Sequence, residues 1–306
     1  MISEHATNWL GYPVELFSPE EGASDYESTV YRLAAEWDSD NSLVAFFAQF
    51  LENPKSAETP AIIFGLFGER DSTSQPVVEA LVAARQRLPN LKGIFLGDII
   101  SEENEMSWIN QSDVSPIFPA FPELEHFRVR GNNGLTLGRI RHDRLKSLVI
   151  ETGGLSVTVL RDVMASKLPA LKHLELWLGD AGYGWDGTVE DLQPLFSGEL
   201  FPNLKSLGLR NSEIQDEVAI AISKAPILRQ LEVLDLSMGT LGDLGGQALL
   251  DSPEVKNLRK LDLRHHYLST PLEARLAALG IEVDLSEGEE PHKYDGKSHR
   301  YLAVSE

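Results

Sequence analysis

The sequence predicts an α/β solenoid, with a curved parallel sheet on the concave side, helices on the convex side and a helical cap ahead of the first turn. Three observations lead there. The stretches LPNLKGIFL, FPELEHFRV, DRLKSLVI, LPALKHLEL, FPNLKSLGL, LRQLEVLDL and VKNLRKLDL share one L-x-x-L-x-L frame, whose first places are Leu91, Leu124, Leu145, Leu171, Leu204, Leu231 and Leu258. The frame returns every 21 to 33 residues, so each turn buries its apolar face only against its neighbours. Between the frames lie apolar sets at helical spacing, giving the order strand, crossover helix, parallel strand.

Residues 1–57 fall outside the repeat and are expected to cap it with a short strand and two helices. Tyr12 to Phe17 reads as the strand. Ser24 to Glu27 has the form of a capping box, opening a helix to about Trp37 with Tyr26, Val30 and Leu33 on one face. Asn41 is placed to cap the second helix, whose apolar side is Leu43, Phe46, Phe47, Phe50 and Leu51. Such a piece shields the apolar side chains and bare strand edge of an open first turn.

Residues 58–286 form about nine turns. A degenerate first frame reads Ala61, Phe64 and Leu66, and a degenerate last one Gly280, Val283 and Leu285. The helical faces between them include Val77, Val78, Leu81, Ala84 and Leu88; Val159, Val163 and Met164; Val218, Ala219 and Ile222; and Leu272, Leu276 and Leu279. Thr188 and Asp243 look like helix starts. The ninth place of the frame is Asn only at Asn132, with Asn211 one place early, so a continuous asparagine ladder is not expected. Residues 287–306 read as a polar loop followed by a docked segment from Tyr301 to Val304.

Composition excludes several functions. A net charge of −20 opposes general nucleic-acid binding, which is driven by cations displacing counterions, and opposes anionic membrane surfaces. The absence of cysteine removes disulfides, cysteine nucleophiles, iron–sulfur clusters and cysteine zinc sites. The first residues lack a basic stretch followed by an apolar run, and no apolar run approaches a membrane span, which points to the cytoplasm. Glu102, Glu103 and Glu105 are too close in sequence to specify a metal site, and His265 and His266 point to opposite sides of a strand. Neither phosphate-loop glycine pattern occurs, nor does G-x-S-x-G. No catalytic residue, metal or cofactor is therefore expected, and the chain reads as non-enzymatic.

The frame resembles that of leucine-rich-repeat proteins across roughly residues 60–286. The stretches FLGDIISEENEMSWINQSDVSPIFPAFP, LVIETGGL, LKHLELWLG, LGLRNSEI, LEVLDLSMGTL and YLAVSE are similar to those of a family of bacterial cytoplasmic leucine-rich-repeat proteins. Members of that family are often encoded near radical-SAM enzymes and a hydrolase-like protein. The resemblance implies an accessory role in a bacterial pathway and supplies no catalytic residues.

The places between the leucines define the candidate surface. Alternate side chains of a strand face opposite ways, so places five and seven line the concave sheet. Place five reads Gly65, Phe95, Arg128, Val149, Glu175, Gly208, Asp235, Asp262 and Asp284; place seven reads Phe67, Gly97, Arg130, Glu151, Trp177, Arg210, Ser237, Arg264 and Ser286. Arg128, Arg130, Glu151, Glu175, Trp177 and Arg210 are expected to form one central patch for a protein or peptide partner. The alternative is that Arg130–Glu151 and Arg128–Glu175 are ion pairs tiling a polar sheet. Two long connections add Trp108 and Trp185 among carboxylates, suited to a basic or aromatic segment; the alternative is that each indole anchors its own loop. A second functional reading is a small-molecule or cofactor-handling accessory protein using the same Arg/Glu/Trp patch.

Overall fold

The computed structural model describes residues 2–23, 25–35, 42–69 and 71–305. They fall into two compact units, Ile2–Glu151 with Ala165–Ala170, and Thr152–Met164 with Leu171–Glu306.

The first unit opens with a hairpin, β1 (Asn8–Trp9) against β2 (Tyr12–Leu16). Its two-residue turn, Leu10-Gly11, has φ of 56° and 86°, the left-handed pair that matches the twist of the strands it joins. β2 continues in parallel order through β3 (Val30–Leu33), β4 (Ala61–Phe64), β5 (Gly93–Leu96), β6 (His126–Arg130) and β7 (Ser147–Glu151). Three helices accompany them, α1 (Leu43–Glu52), α2 (Gln75–Ala83) and α3 (Ile117–Ala120).

β3 corrects the first of the two expected cap helices. All four of its residues are buried, Val30 on one face against Ala61, Ile63 and Phe95, and Tyr31 on the other against Phe17, Tyr26 and Phe50. A strand covered on both faces reads as a continuous apolar run and carries no period-two signal to tell it from a helix. Asp25 caps a turn instead, accepting from the backbone N–H of Glu27 and Ser28. Ser24, Trp37 and Asn41, named in the expected capping box, helix and second cap, lie outside the described residues. α1 is capped by Ser42, whose hydroxyl accepts from Ala45 N at 3.2 Å.

In the second unit, α4 (Val157–Met164) precedes β8 (His173–Gly179), α5 (Gln193–Phe196), β9 (Ser206–Ser212), α6 (Gln215–Ile222), β10 (Val233–Asp235), α7 (Asp243–Asp251), β11 (Lys260–Asp262), α8 (Thr270–Ala277) and β12 (Glu282–Asp284). β8 to β12 pair in parallel and in chain order. A separate exposed hairpin follows, β13 (His292–Tyr294) with β14 (Lys297–His299).

The seven frames are all buried at places one, four and six, the most exposed being Leu231 at 4%. Their fourth places stack in register: Ile94 on Phe127 on Leu148 in the first unit, and Leu174 on Leu207 on Leu234 on Leu261 on Val283 in the second. Each such leucine stabilises by roughly 1.5–3 kcal/mol relative to exposure. The degenerate first frame is the exception. Ile62 pairs with Ile94 and Phe64 with Leu96, so places four and six are Ile62 and Phe64, two residues earlier than the sequence suggests. The concave positions of that strand are then Ile63 and Gly65, not Gly65 and Phe67. In AIIF every residue is apolar, and a slip of two preserves the alternation, so the pattern holds no phase to fix.

At the missing ninth-place asparagine another side chain does the capping. His266 is fully buried, accepts from Leu268 N at 3.2 Å through Nδ1 and donates to Leu285 O at 3.1 Å through Nε2. One place earlier the chain turns a left-handed corner at Asn211, Met238, His265 and Glu287, with φ of 50°, 70°, 56° and 61°. Glycine adopts this conformation freely, whereas an L side chain pays roughly 1–2 kcal/mol.

Candidate functional site

Two side-chain clusters occupy the sheet positions between the leucines, one in each unit. In the first unit Arg128 and Arg130 project from β6 and Glu151 from β7, at register positions that pair directly or diagonally. Arg130 Nε donates to Glu151 Oε2 at 2.7 Å and Nη1 donates to Ile99 O at 2.7 Å. Arg128 Nη2 pairs with the other carboxylate oxygen of Glu151. Both guanidinium groups lie over the Phe95 ring, at 4.4 and 5.3 Å from its centroid.

The network continues inward to residues that sequence reasoning passed over. Asp98 lies 3.6 Å from Arg130 Nη1, accepts from Arg32 Nε at 3.1 Å and accepts from Ala6 N at 3.3 Å. Asp98 is the eighth place of the Leu91 frame, one beyond the last place that alternation assigns to the concave side. Arg32 donates to Asp98 O and reaches Glu103, which His5 also approaches at 3.3 Å. Arg32, Asp98, Arg130 and Glu151 are all buried. Hairpin β1–β2 lies over the adjoining apolar positions: Ala6, Trp9, Leu10, Tyr12 and Val14 pack on Val30, Ala61, Ile63 and Phe95. A buried ion network under such a cover fixes geometry and offers a partner little to touch.

In the second unit Glu175 is the hub. Its Oε1 accepts from Trp177 Nε1 at 2.7 Å and from Arg210 Nη1 at 2.8 Å, and its Oε2 lies 3.6 Å from His173 Nε2. Burial pushes this carboxyl up; the bond with His173, the charge of Arg210 and the indole N–H outweigh that and hold it well below the usual carboxylate range. Arg210 also donates to Ser237 Oγ at 3.0 Å, approaches Asp235 at 3.4 Å and lies over the Trp177 ring at 5.1 Å. Gly208 keeps this space open, since a Cβ there would stand 3.0 Å from Glu175 Cγ.

Beyond Arg210 the carboxylates form a ladder: Glu175, Asp235, Asp262 and Asp284 occupy the same place in β8, β10, β11 and β12. Strands lie roughly 4.8 Å apart, so Asp235, Asp262 and Asp284 are near neighbours. Burial pushes Asp235 up and the charge of Asp262 adds to that, against Arg210 and Ser237. Asp284 is held down, first by its bond with Ser286 and then by Arg264 and Lys260. Arg264 donates to Asp262 at 2.9 Å and lies 3.5 Å from Asp284, while Lys260 lies 3.5 Å from both Asp262 and Glu282.

The structure sorts the sequence-derived residues by access. Arg130, Glu151, Trp177 and Trp185 are between 1% and 4% exposed, so little of their surface is in reach of solvent. Arg128, Glu175 and Arg210 are partly exposed, and Trp108 is 53% exposed. The two tryptophan loops therefore differ. Trp185 anchors its own loop: Gly187 closes on its ring, Asp186 accepts from Val157 N, and Arg161 Nη2 donates to Asp191 at 2.9 Å. The other loop is anchored by buried Met106 and Ile109, which leaves Trp108 at the surface. Among the described residues no His/Asp/Glu group is arranged to hold a metal, and no helix is long and apolar enough to cross a membrane.

Parallel in-register strands, buried leucine frames and returning helices define a leucine-rich-repeat α/β solenoid, as the sequence predicts. No family profile and no curated protein matches the chain. Among solved structures, a protein from Bacteroides fragilis is 34% identical with a TM-score of 0.80, over 85% of this chain and 74% of that one. The chain belongs to the same family as that protein. An internalin from Listeria monocytogenes aligns over 83% of this chain and 66% of that one, at 15% identity and a TM-score of 0.32, too low to transfer anything.

Proposed function

We propose that this protein is a non-enzymatic, cytoplasmic scaffold of a bacterial pathway that binds a basic protein or peptide segment. The supporting observation is the carboxylate ladder of the second unit. Asp235, Asp262 and Asp284 hold one place of three consecutive strands, with Asp262 buried between its neighbours, and together with Glu175 and Glu282 they outnumber Arg210, Arg264 and Lys260, so the surface carries an excess of negative charge. A row of carboxylates one strand apart suits lysines and arginines spaced along an extended chain. Trp108, exposed beside Glu102, Glu103 and Glu105, is a second contact of the same chemical preference. The net charge of −20 favours fast, salt-sensitive encounter with a basic partner.

The alternative, a small molecule held by the Arg/Glu/Trp patch, has less support. The polar atoms of Trp177 and Arg130 are already committed to Glu175 and to Glu151, and both side chains are buried. The test is affinity capture from the native cell with the wild type and with a Glu282→Lys/Asp284→Lys variant, each at low and high salt. A partner retained by wild type at low salt and lost from the variant is the expected result. An identical captured set for both proteins would defeat the reading.

A further inference from the structure

Residues 300–304 run across the left-handed corners at Asn211, Met238 and His265, and they are bonded at nearly every step. Asn211 clamps Val304 in both directions, its Oδ1 accepting from Val304 N at 3.1 Å and its Nδ2 donating to Val304 O. Ala303 N donates to Met238 O at 3.0 Å. Tyr301 O accepts from Tyr267 Oη at 2.9 Å and pairs with His265 Nε2 at 3.0 Å, while Tyr301 N donates back to Tyr267 Oη at 2.8 Å. Arg300 donates to Thr240 O at 3.0 Å and pairs with Asp216 at 2.9 Å.

Three features make this a recognition track rather than a frayed end resting on the surface. Most of the bonds go to main-chain atoms of the segment, the way a site holds an extended peptide of variable sequence. The three corners carry Asn, Met and His where glycine would be unstrained, and all three touch the segment. The segment is joined to the repeats through β13–β14, whose residues are almost all exposed, while Val304 at its far end is 3% exposed. A buried anchor on an exposed tether is the arrangement of a ligand held at high effective concentration.

We propose that the corner track is a binding site for an extended peptide of the pattern Arg-x-x-x-aliphatic, and that residues 300–304 are its resident ligand. Asn211 reads the main chain at the aliphatic position, Tyr267 and His265 read it at the position after the arginine, and Asp216 selects the leading arginine. A competing segment of the same pattern displaces the resident one and frees the tether.

The test uses the full-length chain with Ala303→Pro and Val304→Asp, which remove a main-chain donor and place a charge in the buried seat. The probe is a fluorescein-labelled peptide of sequence RYLAVS, followed by anisotropy. The unseated variant is expected to bind at least tenfold more tightly than the wild type, whose own segment competes, and a further Asn211→Ala substitution is expected to lower that affinity at least tenfold. Binding of the probe no tighter than a scrambled peptide, with circular dichroism and thermal unfolding unchanged, would overturn the proposal. Should the double variant fold poorly, a protease site placed at Asp295-Gly296 in the exposed hairpin turn replaces it. After cleavage, exchange of the released segment for the labelled peptide supports a ligand site. A segment that never exchanges, or a cut chain that loses its cooperative transition, shows a structural staple and sinks the idea.

Discussion

The clusters on β6–β7 and on β8–β12 draw on the same frame places, yet they differ in how far they are buried. Around Arg130 and Glu151 the charges are sealed among Asp98, Arg32 and the neighbourhood of Phe95. Around Arg210 and Glu175 the charges are partly exposed and continue as the ladder to Asp284, in which Asp262 alone is buried. Hairpin β1–β2 seats on the apolar positions Val30, Ala61, Ile63 and Phe95, whereas the places of β10 to β12 equivalent to Ile63 and Phe95 hold Asp235, Asp262 and Asp284. A frame place therefore says which way a side chain points, and what lies over that side chain decides whether it is sealed or reaches water.

The largest effect that contrast predicts is at Glu151. Glu151→Ala leaves Arg128 and Arg130 without their carboxylate in a buried site and is expected to destabilise by about 3–5 kcal/mol in urea unfolding. A loss below 1 kcal/mol would place the two clusters in one class. Leu174→Ala, buried in the middle of its ladder, is expected to cost about 2–5 kcal/mol, and a smaller loss would count against the register. Next comes the acid limb. Glu175 is held below its ordinary value of 4.5, so its contribution is complete above that pH and is lost as the pH falls beneath it. Wild type should therefore lose stability more steeply than Glu175→Gln on acidification, measured as midpoint against pH; parallel curves would remove Glu175 from the hub. The smallest effect is expected at Glu282→Lys, on a half-exposed side chain, where stability should stay within about 0.5 kcal/mol while capture of a basic partner falls. A large loss of stability there would mean that the ladder is as structural as the Arg130 cluster.

The architecture was legible wherever apolar and polar residues alternate. From Leu91 to Leu258 the frame phases itself, because a slip of one residue would put lysines and glutamates into the core. The phase vanishes in VYRL and AIIF, buried on both faces, and there a helix was expected in place of β3 and the first frame was set two residues late. The candidate residues were identifiable as positions, since place and face follow from the frame. Their access was not, because exposure depends on distant chain: Trp185 is closed over by its own loop and Trp108 is not, although both stand among carboxylates. Asn211, Met238 and His265 were hidden for a different reason. Nothing in a side chain's identity announces a positive φ, and their partners lie 36 to 93 residues away.

The cover over the first strands also imposes a schedule on synthesis. Most neighbours in a solenoid emerge one turn apart and can pair as they appear, but Ala6 waits for Asp98, 92 residues later. At ordinary rates of translation that delay is roughly 5–20 s. Val30, Ala61 and Ile63 arrive within that interval, but the seat of Trp9 and Leu10 is incomplete until Phe95 follows. The nascent chain thus exposes the apolar side chains of the hairpin until Phe95 has emerged.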